Sequence, residues 1–451
     1  MAKNQKKKEI KTNIFHRRLG FDYPRIKKGR GIYLWDSNGK KYIDAVGGAI
    51  VANLGHGIKE IAKDMERLAS RFSYLHGAQF ITDDMEQYAK ELCQVAPKNL
   101  SKVLFVTGGS EGIETAIKLA KQYHYDTQNK KKYQVIRRAP AYHGNTLLAL
   151  SLTSKEGMRR PQQEYLLDFP AIPAPYCYRC PFGKNYPSCG LLCAKALETA
   201  IKKEGPENVS AFIAEPVIGA SIGAVVPPKE YFPLISKICK KYNVLLVMDE
   251  VMAGFGRTGK WFACQHWNFE PDIVVVSKGI AGGFAPLTAV FCTEKILQGI
   301  KNGSGNFSHG FTFENNPFLM GVGYAVLKYI KKNNLVRASE QKGKYLLKKL
   351  QELKSLDIVG DARGLGLMTA LEFVEDKKTK KPFARKQMLS EKIVQAAMKK
   401  GLNLYFAVGF VKGGDGDAIM VAPPYNVSFK EIDLIVKIFK EAIIEAKNNL
   451  K

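Results

Sequence analysis

Two polar residues stand directly after apolar runs. DIVVVS precedes Lys278, and VLLVM precedes Asp249. A lysine closing a buried strand inside a cleft is costly unless it is paired or used covalently. Desolvation lowers its pKa and leaves a nucleophilic amine suited to a Schiff base. The alternative is a solvated lysine at a strand end. Asp249 likewise needs a cationic partner if it is buried. Three more sites follow apolar runs. Gly108-Gly109-Ser110 opens the helical pattern of TGGSEGIETA, Tyr142-His143-Gly144 follows YQVIRRAPA, and Glu215 follows SAFIA. Free N–H groups and the helix dipole at Gly109 and Ser110 suit a phosphate, although such a turn is also an ordinary helix start. It is not a P-loop, because the Gly-Lys-Ser/Thr is absent. A rival chemistry lies beside Asp249. Gly254, Gly256 and Gly259 spell G-x-G-x-x-G, and Asp272 stands about where a dinucleotide's ribose-binding acid would be.

These residues need a frame that gathers strand ends. VLFVTG, YQVIRR, SAFIAEPV, VLLVMDEV, DIVVVSKG and LTAVFCT read as strands, with helical patterns such as EGIETAIKLAKQYHYDT and YFPLISKICKKYN between several of them. That alternation predicts α/β architecture with a mainly parallel sheet, and the unbroken apolar runs predict burial on both faces. Ligands of such sheets bind outside the carboxyl ends of the strands. The 29 residues from Asp249 to Lys278 suit two neighbouring parallel strands joined by one crossover. The dinucleotide reading needs a helix at its glycine turn, and GRTGKWFACQHW offers no clear cap. A buried carboxylate, a Schiff-base lysine, a phosphate turn and the aromatic Tyr142 on one edge point instead to pyridoxal phosphate.

Beyond about residue 330 the texture changes. LVRASEQKGKYLLKKLQEL, SEKIVQAAMKKG and the amphipathic KEIDLIVKIFKEAIIEAK enclose strand-like MTALEFV and DAIMVAPP, which predicts a small α+β unit. GIYLWDSNGKKYIDAVGG carries a hairpin signal at Ser37-Asn38-Gly39. The expected organisation is an N-terminal segment (1–60) joined to the small unit, a large cofactor-binding domain (61–330) and a C-terminal small domain (331–451).

With these residues in hand the chain resembles a class III, omega-type aminotransferase of fold type I. The resemblance rests on TGGSEGIETAIKLA, AYHGNT, AEPV, MDEVMAGFGRTG, VSKGIAGGFAPLTAV, HGFTFENNP and RGLGLMTALEF, in that order. It implies a seven-stranded, mainly parallel sheet between helices, plus a small α+β domain. It implies pyridoxal 5'-phosphate held covalently by Lys278, with Asp249 keeping the ring nitrogen protonated. Tyr142 would stack on the ring, Gly109 and Ser110 would bind the phosphate, Glu215 and Val251 would line the ring and substrate pocket, and His143 belongs to the cofactor-binding turn Tyr142-His143-Gly144. Thr312 would reach the phosphate of the neighbouring subunit of a homodimer. The implied reaction is ping-pong transfer of an amino group from an amine, β- or ω-amino acid to a 2-oxo acid such as pyruvate or 2-oxoglutarate. Epimerases and lyases of the same family are the alternative. Many relatives carry a carboxylate-binding arginine shortly before their PP-L motif, and here Met420 of AIMVAPPY holds that place.

The bulk composition fits a soluble enzyme. The chain has 451 residues, 45% hydrophobic and 25% charged, enough for two domains around a large core. No run nears the roughly 18 apolar residues of a membrane span, and the basic start MAKNQKKKEIKTN lacks an apolar segment behind it, so a cytoplasmic location is expected. The net charge of +27 comes from short, scattered lysine clusters without interleaved aromatics, which does not make a nucleic-acid footprint. Four of the eight cysteines, Cys93, Cys239, Cys264 and Cys292, sit singly in apolar segments and read as small buried hydrophobes. Cys177, Cys180, Cys189 and Cys193 crowd into CYRCPFGKNYPSCGLLC. Their spacing would suit zinc, but no histidine lies among them, and disulfides or reduced thiols remain alternatives.

Overall fold

The computed structural model describes residues 12–450, so the basic stretch MAKNQKKKEIK lies outside the described residues. The chain opens with β1 (Ile26–Arg30), β2 (Tyr33–Asp36) and β3 (Lys41–Asp44). The central strands are β4 (Leu100–Val106), β5 (Gln134–Ala139), β6 (Ala171–Pro173), β7 (Val209–Ala214), β8 (Leu245–Asp249), β9 (Ile273–Val276) and β10 (Thr288–Thr293). β11 (Val359–Leu365), β12 (Met368–Phe373), β13 (Leu402–Asn403), β14 (Tyr405–Val408) and β15 (Asp417–Val421) follow.

The seven central strands form one sheet in the order β4-β10-β9-β8-β7-β5-β6. Only β10 runs against its neighbours, pairing antiparallel with β4 and β9, while the others run parallel. The predicted mainly parallel sheet of seven strands is therefore present. β6, too short to leave a periodic signal, is the strand that sequence reading misses.

Alternate residues of each strand feed two cores, as the period of two demands. Ala211, Val247, Val275 and Val290 pack with Ile113, Ala116 and Ala120 of the helix Gly109–Asp126. Phe212, Leu246, Val274 and Phe291 face the other way, into the larger core with Tyr231 and Phe232 of the helix Tyr231–Lys241. Every residue of β8 and β9 is buried. β8 and β9 are neighbours, with Asp249 opposite Val275, as the spacing predicts. Their crossover is mostly turns plus the short 3-10 segment Ala263–His266 rather than an α-helix.

The two remaining sheets use both ends of the chain. β1-β2-β3 continues into β13, which pairs parallel with β3. β11-β12-β15-β14 forms the other, entirely antiparallel. The predicted hairpin joins β2 to β3. Asp36 Oδ1 accepts from the Asn38 and Lys40 N–H groups at 2.9 Å each, and Gly39 takes the left-handed conformation at φ +81° that favours glycine in such a turn. No helix among the described residues is long and apolar enough to cross a membrane.

Candidate active site

β4, β5, β7, β8 and β9 all deliver their carboxyl ends to one edge, because β10 is antiparallel to both of its neighbours. A cavity of about 460 Å³ opens there. Its walls include Gly109, Ser110, Tyr142, His143, Glu215, Asp249, Val251 and Lys278. These are eight of the nine residues singled out from the sequence. The ninth, Thr312, lies elsewhere. It is exposed in the segment before the helix Pro317–Lys332, and its carbonyl accepts from the Tyr74 hydroxyl at 2.8 Å.

Asp249 is 5% exposed and ends β8. Its Oδ2 accepts from His143 Nδ1 at 2.7 Å, and its Oδ1 accepts from the Val251 N–H at 3.0 Å. One bond to each oxygen orients the carboxylate and leaves lone pairs over. The His143 ring is itself buried, and its Nε2 has no partner among the described residues. Glu250, the next residue, points away from the cleft. Its carboxylate accepts from the backbone N–H groups of Ala263 and Cys264, and burial pushes its pKa up to about 7.

Glu215 ends β7's run into the cleft. Its Oε1 accepts from the Tyr142 N–H at 3.2 Å and its Oε2 from the Gly219 N–H at 2.8 Å. Burial raises its pKa, with the Asp249 charge adding and His143 opposing.

Lys278 follows β9 at φ +48°, in the left-handed region that costs an ordinary residue about 1–2 kcal/mol. Strain of this kind collects at functional sites. Its amine makes no hydrogen bond or ion pair with any described side chain. Burial lowers its pKa to about 8, against the pull of Asp249 and Glu215. A free, partly neutral amine facing a buried carboxylate is the expected state of a Schiff-base lysine.

The helix Gly109–Asp126 begins at the edge of this cavity. The Glu111 carboxylate turns back to accept from the Thr107 and Gly108 N–H groups, at 3.0 and 3.1 Å. That leaves the N–H groups of the first helical residues, which no helix can satisfy internally, directed at the cavity. Ser110 Oγ accepts from the Asn145 N–H at 3.0 Å and so ties the Tyr142-His143-Gly144 turn to the helix start. Gly144, at φ +137°, is required by that contact: a Cβ there would lie 2.5 Å from Ser110 Oγ.

The dinucleotide reading fails on position. Asp272 stands at the opposite end of the strands, just before β9, where its Oδ2 accepts from the Leu246 N–H at 2.8 Å. Gly256 and Gly259 belong to an irregular turn, both at positive φ, and no helix starts there. Met420 is also away from the cavity. It is fully buried in β15, and its register partner on β14, Tyr405, is the residue that reaches the cavity wall. Sequence reading missed Tyr405, Lys155 and Arg17, which all line it. Their local signals were those of a strand, a loop and a basic N-terminal segment.

Cys177, Cys180, Cys189 and Cys193 line one small cavity of about 10 Å³. All are free thiols, and burial, reinforced by Cys177 and Cys189, pushes Cys193 up to about 11. Among the described residues no three His, Cys, Asp or Glu side chains stand together as a metal-holding group, so the zinc-like spacing is not matched by a ligand cluster. Cys239, Cys264 and Cys292 are buried as expected, while Cys93 is only partly so.

Comparison with known proteins bears on the same cleft. The family model for class III aminotransferases matches residues 21–443. An uncharacterized aminotransferase of Bacillus subtilis, YodT, is 38% identical, covering 96% of this chain and 98% of its own. A putrescine–pyruvate aminotransferase of Pseudomonas aeruginosa is 31% identical over 93% of this chain and 90% of its own. The crystal structure of the omega transaminase from Pseudomonas jessenii, in complex with PMP, superposes with a TM-score of 0.88 at 32% identity, over 95% of this chain and 94% of that one. With a free lysine, a buried aspartate and a helix start converging on one sheet edge, and a family match over nearly the whole chain, this protein belongs to the class III aminotransferases, enzymes that use pyridoxal phosphate to transfer amino groups.

Proposed function

We propose that the cavity at the sheet edge is the transamination site and that Lys278 is its catalytic residue. Pyridoxal phosphate, when bound, supplies an aldehyde that takes up the amino group and an electron-poor ring that stabilises negative charge at the substrate carbon. Lys278 Nζ would hold that aldehyde and, when freed by the amine donor, would serve as the base that moves the proton at the substrate carbon. Asp249, held by His143 and the Val251 N–H, would keep the ring nitrogen protonated. Tyr142 would stack on the ring, the Gly109–Ser110 helix start would bind the phosphate, and Glu215 and Val251 would complete the pocket. The observation that carries this reading is the unpaired Lys278 amine in the same cavity as the buried Asp249 carboxylate. The same reading keeps 61–330 as the cofactor-binding domain and gives the two ends of the chain to the small unit.

Thr312 serves the phosphate of a second copy in this reading, which makes the enzyme a homodimer. Two facts support that. Thr312 is exposed and absent from its own chain's cavity, and Tyr74, Phe80, Ile81 and Phe313 are large apolar side chains left exposed in its own segment and in residues 74–81. The substrates are an amine, β- or ω-amino acid donor and a 2-oxo acid acceptor, in line with the activity named for the Pseudomonas aeruginosa relative.

The test is a half-reaction. Adding amine donor alone to the purified, cofactor-loaded protein should bleach the cofactor's aldehyde absorbance once and stop, and pyruvate or 2-oxoglutarate should restore it. Continued turnover without acceptor would mean an epimerase or a lyase. A Lys278→Ala protein that stayed yellow and active would overturn the assignment.

A further inference from the structure

The acceptor carries a carboxylate, and Met420, the residue placed by sequence where many relatives have an arginine, is sealed in β15. Its strand partner in the cavity, Tyr405, is neutral, with burial raising its pKa. The cavity has three cations: Lys278, Lys155 and Arg17. Lys278 is committed to the cofactor in the reading above, on which the present inference rests. Arg17 is exposed at the rim.

Lys155 is different from both. It precedes the short helix Glu156–Arg159 and is half-buried against the cavity wall, with its Nζ 5.4 Å from the centre of the Tyr142 ring. Burial lowers its pKa, and Glu215 opposes that shift. The two carboxylates that line the cavity with it are already engaged. Glu215 accepts from two backbone N–H groups, and Asp249 accepts from His143 and Val251. Lys155 Nζ has no hydrogen bond or ion pair with any described residue. A partly desolvated ammonium with no anion beside it is unfavourable in the free protein. A ligand carboxylate placed there would convert that penalty into a charge-assisted hydrogen bond.

We propose that Lys155 is the carboxylate anchor of this active site. It binds the carboxylate of the 2-oxo acid acceptor and sets the preference for acids over simple aldehydes. The task that Met420 cannot perform falls to a residue on a different element, just before the helix Glu156–Arg159. Arg17 contributes from the rim by long-range attraction only.

Lys155→Met, Lys155→Arg and Arg17→Ala should be compared with the parent protein and with Lys278→Ala. Cofactor loading is read first. Lys155→Met and Lys155→Arg should keep the cofactor band that Lys278→Ala loses. If Lys278→Ala keeps the band, the assignment of the site fails rather than the role of Lys155. With benzylamine as donor, Lys155→Met should raise the KM for pyruvate about 10- to 100-fold, the scale of one charge-assisted hydrogen bond. Butanal, an acceptor with no carboxylate, should change less than about twofold. Lys155→Arg should recover most of the pyruvate loss. Propionate, an unreactive carboxylate, should bind the loaded Lys155→Met protein at least about tenfold more weakly by calorimetry. An unchanged pyruvate KM, equal losses with pyruvate and butanal, or a larger acid-specific loss in Arg17→Ala than in Lys155→Met would each overturn the proposal.

Discussion

Lys278 and Arg257 are both enclosed cations, 21 residues apart, Arg257 inside the β8–β9 crossover and Lys278 just after β9, and they are treated in opposite ways. Arg257 is fully buried and held by four acceptors, with only its Nε left without one among the described residues. Its Nη1 donates to the carbonyls of Leu367, Ala422 and Pro423, at 3.0, 3.2 and 2.7 Å, and its Nη2 donates to Asn53 Oδ1. Its guanidinium lies 4.8 Å from the centre of the Tyr425 ring. These partners come from both ends of the chain, so one side chain pins the two outer sheets' connections to the crossover turn. Lys278 has no such partner and sits in a strained backbone conformation. A buried cation with four acceptors holds structure together, and one with none is kept ready for a ligand.

The comparison predicts that substitutions at the two positions separate activity from stability. The largest effect is at Lys278. Lys278→Ala should lower transamination by more than about 10⁴-fold, since both the covalent attachment and the proton transfer depend on one amine. Its apoprotein should be at least as stable as the parent, because an unpaired, partly desolvated amine is removed while the backbone strain stays with the alanine Cβ. A fall of several degrees in the thermal midpoint of the apoprotein would contradict this. Arg257→Met should do the reverse in kind. Leaving three carbonyls and an amide oxygen unpartnered costs about 3–5 kcal/mol, and Arg257→Lys should recover only part, since a single nitrogen cannot reproduce the fork. Denaturant unfolding measures the loss. What folded protein remains should still take up cofactor, and failure to do so would show that the two cations are not independent.

A titration sharpens the contrast. Only a neutral amine attacks an aldehyde, and burial holds the Lys278 pKa at about 8. Below that value most of the amine is protonated, so the rate of cofactor uptake by apoprotein should rise with pH and level off above about 8. Asp249 and Glu215 raise this pKa, so Asp249→Asn should move the midpoint to lower pH. Arg257 stays charged across the whole range and its charge lowers the Lys278 pKa, so Arg257→Met should move the midpoint to higher pH. Stopped-flow absorbance after mixing apoprotein with cofactor measures all three. A midpoint near the ordinary lysine value would mean that the cavity is wetter than its walls imply.

The same pair explains how much was legible in the sequence. The strands of the large sheet announce themselves as apolar runs, and in a parallel sheet their carboxyl ends must share one edge. Lys278, Asp249, Glu215, Tyr142 and Gly109 could therefore be brought together from residue types and spacing alone. Arg257 could not be read, because its acceptors are backbone carbonyls 110 to 166 residues away and a carbonyl leaves no trace in sequence. It stood inside the glycine-rich turn that suggested a dinucleotide, and those glycines serve the turn around it. Tyr405 and Met420 fail for a related reason. They are opposite each other in an antiparallel register and share one face of the sheet, and it is the edge strand β14, not β15, that borders the cavity. Lys155 sits in a loop, where nothing periodic marks a side chain as facing inward.

A half-buried cation completes the series with the smallest expected effect. Lys331 Nζ donates to Glu91 Oε2 at 2.6 Å, linking the helices Asp83–Val95 and Pro317–Lys332, and the Tyr324 hydroxyl donates to the same carboxylate at 2.7 Å. The Lys331 bond, more than any other influence, lowers the Glu91 pKa to about 2. A carboxylate whose folded pKa lies below its unfolded value adds stability above the unfolded pKa, near 4.3, and loses it as pH falls through the folded one. The contribution should therefore be full at pH 6 and fade between about pH 4.5 and 2. Both side chains are partly in water, so solvent screening keeps the pair's worth to about 0.5–1 kcal/mol. Lys331→Met should lower the denaturant midpoint slightly at pH 6 and by less at pH 3, and added salt should shrink the difference further. A loss as large as that of Arg257→Met, or one that grew on acidification, would mean that satisfaction of a cation by its partners, rather than its burial, sets its worth to this fold.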